Sequence, residues 1–84
     1  MSLPNEPVTL SVAQVRELNE TLTLLRHDLN NSLSLMVASM ELIRRRPETA
    51  PRMWVTLEEQ PRKITENFAR FSASLEAALG ITRP

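Results

Sequence analysis

Apolar side chains recur along the first half of the chain at Leu18, Leu22, Leu25, Leu29, Leu33, Met36, Met40 and Ile43. The steps are 4, 3, 4, 4, 3, 4 and 3, the rhythm of one face of a helix. Ser11 can cap the start of that helix. Arg44, Arg45 and Arg46 place positive charge where the helix dipole leaves its negative end, and Pro47 stops the run. A second face follows at Met53, Leu57, Gln60, Ile64, Phe68, Phe71, Leu75 and Ala78, with the same steps. Thr49 is its candidate cap, Pro51 is tolerated in its first turn and Gly80 fits its end. Pro61 lies inside it, lacks an N–H, and should kink the helix or start a fresh segment.

These signals predict an irregular lead-in over 1–10, a helix over 11–46, a turn at 47–50, a helix over 51–79 and a tail at 81–84. Residues 11–80 then form an all-α domain, an antiparallel helical hairpin. Folding the chain at Pro47–Ala50 sets Leu18 opposite Leu79, Leu22 opposite Leu75 and Leu29 opposite Phe68. It sets Leu33 opposite Ile64, Met40 opposite Leu57 and Ile43 opposite Trp54. The doubled step of 4 in each helix is a stutter that locally unwinds a coiled coil, beside His27–Asn31. Val15, Leu24, Leu35 and Leu42 widen the first stripe beyond what one partner helix covers. The expected answer is a homodimer, two hairpins packed as a four-helix bundle.

Composition narrows the picture. An 84-residue chain is one small domain with a modest core. It has no cysteine and a single histidine, which excludes disulfides and leaves no ligand set for structural zinc. Ten basic residues balance ten acidic ones, whereas a dedicated nucleic-acid binder carries a basic surplus. The Arg44–Arg46 run suits a helix end without invoking nucleic acid. The longest wholly apolar run, Leu35–Ala38, is far too short to span a bilayer, and no signal peptide is visible. The expectation is a cytoplasmic protein with no membrane span and no nucleic-acid partner.

The candidate chemistry lies in His27-Asp28-Leu29-Asn30-Asn31. His27 lies roughly 200° round the helix from Leu25 and Leu29, so it faces away from the seam. A neutral imidazole carries a ring lone pair and can act as a nucleophile. Asn31 sits one turn on, beside it. Asp28 is the sequence neighbour at the edge of that face, and Arg70 of the second helix is level with His27. A surface histidine among polar residues is by itself ordinary; the composite pattern gives it meaning.

That pattern is Arg26-His27-Asp28-Leu29-Asn30-Asn31, then Leu33, then Met40-Glu41-Leu42-Ile43, with Glu58-Glu59-Gln60-Pro61-Arg62-Lys63-Ile64 on the returning helix. Over about residues 20–78 it resembles the dimerisation and histidine-phosphoacceptor domain of sensor histidine kinases. The resemblance implies that His27 is the phosphoacceptor, that Asp28 orients the imidazole or acts as general base, and that Asn31 positions a phosphoryl group or a water. Arg26, Asn30, Ser34 and Arg70 become partner-binding candidates. The implied partners are a second copy, a histidine-kinase ATP-binding domain in cis or in trans, and a response-regulator receiver domain whose aspartate takes the phosphate. ATP and Mg²⁺ belong to those partner domains, and no metal or cofactor is expected on this chain. Two departures stand out. Ser32 occupies the place where many members have proline, and 84 residues leave no room for the ATP-binding domain. The chain therefore resembles the phosphoacceptor part of a kinase without its catalytic part. The alternative is a non-catalytic helical-hairpin dimer that binds and regulates a kinase or a receiver.

Overall fold

The computed structural model describes residues 2–81. Met1 and most of the expected tail, at 82–84, lie outside the described residues. Helix α1 runs Val12–Arg45, a 3₁₀ turn covers Pro47–Thr49, and helix α2 runs Ala50–Leu79. The two helices pack against each other. The principal extents are 57 × 28 × 13 Å. The 34 residues of α1 account for most of that length, at about 51 Å.

Local chemistry sets the ends. The Ser11 hydroxyl accepts from Gln14 N–H at 3.1 Å, and Gln14 Oε1 accepts from Ser11 N–H at 2.8 Å. This reciprocal pair satisfies two donors that the first turn leaves open. At the other end of α1, Arg44 and Arg45 both donate to Glu41, at 2.8 and 3.0 Å. Thr49 behaves differently from the expected cap: buried, its hydroxyl donates back to the Arg46 carbonyl at 2.7 Å and tightens the turn. Gly80 ends α2 in the left-handed conformation, at φ 67°.

Pro61 does not start a fresh segment, because α2 continues through it to Leu79. Its ring lies on the exposed side of the helix. The missing N–H deprives the Leu57 carbonyl of its usual helical partner. The carbonyl of Pro61 itself accepts an added bond from the Thr65 hydroxyl at 2.9 Å.

The helices are rotated from the expected seam. Leu18, Leu22, Leu29, Met36 and Ile43 are half-buried and Leu25 is buried, but Leu33, Met40, Phe68 and Trp54 stay 46–56 % exposed. The positions most deeply covered are Ser32, Ser39 and Gln60, the last only 1 % exposed. On α1 the small Ser32 and Ser39 face α2, while on α2 the long Gln60 side chain fills the space between the helices. Leu25 is the one buried hydrophobic residue among those described.

The rotation gives the pair two unlike flanks. One residue further round from Ser32 and from Asn67 lie Leu33 and Phe68, and Met40 falls on the same side of α1. In the opposite sense lie Asp28, Asn31, Lys63 and Arg70, which line a cavity shared by both helices. One flank is therefore apolar, and the other mixes these charged and amide groups with the exposed Leu24 and Leu35.

Candidate functional site

His27 is exposed near the middle of α1, about 140° round the helix from Ser32 and so turned away from α2. The helix carries Asn31 one turn on, and the i, i+4 spacing brings the two side chains together. Asn31 Nδ2 stands 3.3 Å from His27 Nε2. Among the described residues this is the one hydrogen-bonded pair that involves the ring.

Asp28 sits at the edge of the His27 face, where that face meets α2. It makes no hydrogen bond to the imidazole. It is half-buried, turned toward α2, and lines two cavities between the helices. The hydrogen-bonding contact to the ring comes from Asn31.

The larger cavity, of about 430 Å³, opens on the mixed flank. From α1 it is lined by Asp28, Asn31, Ser32 and Leu35, and from α2 by Gln60, Lys63, Glu66, Asn67 and Arg70. The smaller one, of about 20 Å³, lies next to it and shares Asp28, Asn67 and Arg70. Arg70 thus shares a cavity with Asp28 and Asn31, reached from the other helix. Asn31 joins the ring to this groove, since it touches His27 and lines the cavity.

The charges around the groove are partly engaged. Lys63 lies 3.9 Å from Glu59 and Arg62 lies 3.7 Å from Glu66, both as i, i+4 pairs on α2. Such exposed pairs contribute little, typically under about 1 kcal/mol. Gln60 is the unusual member. Its amide N–H donates to the Thr56 carbonyl at 2.9 Å, while its Oε1 is buried without a partner.

The remaining expected site residues are spread out. Arg26, Asn30 and Ser34 are all exposed on α1. Ser34 lies in a separate shallow groove of about 440 Å³ with Leu33, Val37, Ala38 and Glu41. Arg26 and Asn30 line none of the three cavities. Gln60 enters the sequence pattern as a member of the seam and, with Lys63, within the Glu58–Ile64 run, without a site role, and Asn67 does not enter it. A signal was present: Gln60, Lys63, Asn67 and Arg70 follow one another in steps of 3, 4 and 3, a polar stripe at helical spacing.

Among the described residues no group of three or more histidine, aspartate or glutamate side chains is placed to hold a metal ion. No described helix is long and apolar enough to cross a membrane. No protein-family model, no curated protein and no solved structure matches the chain.

Proposed function

We propose that this chain is a histidine phosphoacceptor module of a two-component signalling system, built as an antiparallel helical hairpin that dimerises into a four-helix bundle. The observation that carries the reading is the exposed His27 on a long helix, turned away from α2 and paired with Asn31 at 3.3 Å beside a polar groove. Phosphoryl transfer needs an in-line nucleophile with an open approach, and an outward imidazole offers one.

The chemistry balances simply. A bare ring nitrogen attacks the phosphorus of the donor, the P–O bond to the donor breaks and a P–N bond forms. The proton left on the other ring nitrogen goes to solvent, to which the ring is open. Onward transfer reverses the loss: a receiver carboxylate attacks phosphorus, the P–N bond breaks and the lone pair returns to the ring. A histidine-kinase ATP-binding domain, in cis or in trans, supplies the phosphoryl group with ATP and Mg²⁺. A response-regulator receiver consumes it.

Dimerisation is supported by area. A compact monomer of 9.6 kDa exposes about 5,100 Å². This chain exposes 6473 Å², an excess of about 1,400 Å², more than one partner contributes to a standard interface of about 800 Å² a side. Its radius of gyration is 18.0 Å, against about 12 Å for a compact domain of this length. The apolar flank bearing Leu33, Met40 and Phe68 is the surface a second copy would cover, and that arrangement leaves His27 free.

The test is label transfer. Incubation with a histidine-kinase ATP-binding domain and γ-labelled ATP should give an acid-labile, alkali-stable label on the chain, absent in His27→Gln. A labelled His27→Gln protein would overturn the assigned nucleophile. An unlabelled wild type that still binds the kinase or receiver would favour the non-catalytic, regulatory reading.

A further inference from the structure

The contact between Asn31 and His27 has a direction. The atom of Asn31 that faces the ring is Nδ2, and an amide nitrogen only donates. The ring atom it faces, Nε2, must then accept, so the proton of the neutral imidazole sits on Nδ1. A histidine tautomer is set by the hydrogen bond its ring makes. We infer that Asn31 is a positioning residue that selects the Nδ1–H tautomer of His27 and so makes Nε2 the nitrogen that carries the reactive lone pair. The inference about reactivity rests on the phosphoacceptor reading; the inference about the tautomer does not.

Three observations support the assignment. The pair is i, i+4 on one helix, so the backbone holds both residues in reach without help from a partner chain. Asp28, the obvious residue to grip the ring, is turned into the groove on the α2 side and makes no bond to it. Nothing else among the described residues hydrogen-bonds the imidazole, so no competing acceptor draws the proton to Nε2.

The same amide has a second station. It covers the Nε2 lone pair, so it must swing aside for a phosphoryl donor to approach. Once the P–N bond has formed, Nε2 no longer accepts, and the freed N–H can donate to a phosphoryl oxygen. Asn31 lies on the rim of the polar groove, so the swing is toward open space and not into packed side chains.

The chain has one histidine, so long-range ¹H–¹⁵N correlation spectra of uniformly labelled protein report this ring alone. In alkaline solution, where imidazole is neutral, the wild type should show Nδ1 protonated and Nε2 bare. Asn31→Ala should shift the population toward Nε2–H. Asn31→Asp, which offers an acceptor in place of a donor, should shift it further, and Asp28→Asn should leave it unchanged. A wild-type ring protonated at Nε2 overturns the inference with no variant needed. So does an unaltered tautomer in Asn31→Ala, with helix content by circular dichroism confirming the fold. The phosphorylation arm is separate: with a kinase domain, initial labelling of Asn31→Asp should fall about tenfold, and an unchanged rate overturns the role in reactivity. Failure of wild-type labelling would count against the phosphoacceptor reading and leave the tautomer result standing.

Discussion

Asp28 and Arg70 line the same two cavities from opposite helices and yet form no ion pair with each other. Among the described residues the four ion pairs each join side chains of a single helix, and Arg70 is in none of them. A guanidinium with its planar fork of donors unengaged, one helix away from the histidine box, is suited to an incoming anion.

The consequence is a separation of stability from function. Arg70→Ala should leave helix content and the melting midpoint unchanged, because no bond is lost. Labelling of His27 by a kinase domain should nevertheless fall by about three- to tenfold, the net worth of one hydrogen bond of about 1 kcal/mol. Far-UV circular dichroism and initial labelling rates measure the two arms. An unchanged labelling rate would mean that the phosphoryl group never comes near this flank.

The apolar flank yields a prediction on assembly. Met40→Glu or Phe68→Glu would place a charge where a second copy is expected to sit, and each residue would count twice in a symmetric pair. Burying such a side chain is worth about 1.5–3 kcal/mol, so either variant should shift the dimer to monomer at micromolar concentration. Val55→Glu is the control. Val55 is also exposed, but lies about 140° round α2 from Gln60, in the sense away from Phe68. Sedimentation equilibrium should give twice 9.6 kDa for the wild type and Val55→Glu, and a lower mass for the other two. A monomeric wild type would remove the four-helix bundle.

The helices and their ends were legible in the sequence because the signals there are local. Ser11, the arginines before Pro47 and Gly80 each act within one turn, so no tertiary knowledge is needed to place them, whereas Thr49, buried in the turn, does not cap α2 as expected. The rotation of the helices was not legible. A 3–4 spacing defines a broad stripe, and Ser32 beside Leu33, or Ser39 beside Met40, competes for its centre; the contest is settled by how the two helices pack, which the spacing does not encode. The histidine box shows the same division. His27 and Asn31 on one face follow from helical spacing, as does the exposure of His27. The inward turn of Asp28 and the recruitment of Lys63 and Asn67 depend on that unread rotation.

Gln60 converts the rotated seam into a stability prediction. Its Oε1 is buried and unpartnered, and such a group costs about 1–3 kcal/mol. Gln60→Met keeps the length of the side chain and removes the orphaned acceptor. It should raise stability by about 1 kcal/mol, or about 4–8 °C in melting midpoint for a domain of this size. Gln60→Ala should do the reverse, since it removes the same orphan but leaves a cavity between the helices. Thermal melts at matched protein concentration test both. If Gln60→Met is destabilised like Gln60→Ala, the carbonyl has a donor, and a bound water shared with Ser32 across the groove is the first candidate.

Gly80 isolates the backbone from side-chain packing. A Cβ added there meets nothing within 4 Å, so any cost of substitution comes from the left-handed conformation at φ 67°. For an L-residue that conformation costs about 1–2 kcal/mol, and asparagine bears it better than alanine. The turn it makes lets the N–H of Ile81 reach the Glu76 carbonyl at 3.0 Å, with the N–H of Gly80 sharing the same acceptor. Gly80→Ala should therefore speed amide exchange at Ile81 and along the last turn of α2, and Gly80→Asn should do so less. The melting midpoint should move by only a few degrees in either variant, because a helix end can fray without opening the seam at Gln60. Amide exchange followed residue by residue separates the two cases. Faster exchange spreading past Phe71 toward Gln60 would mean that the end of α2 and the centre of the seam open as one unit, and that the cap holds the groove together as well as the terminus.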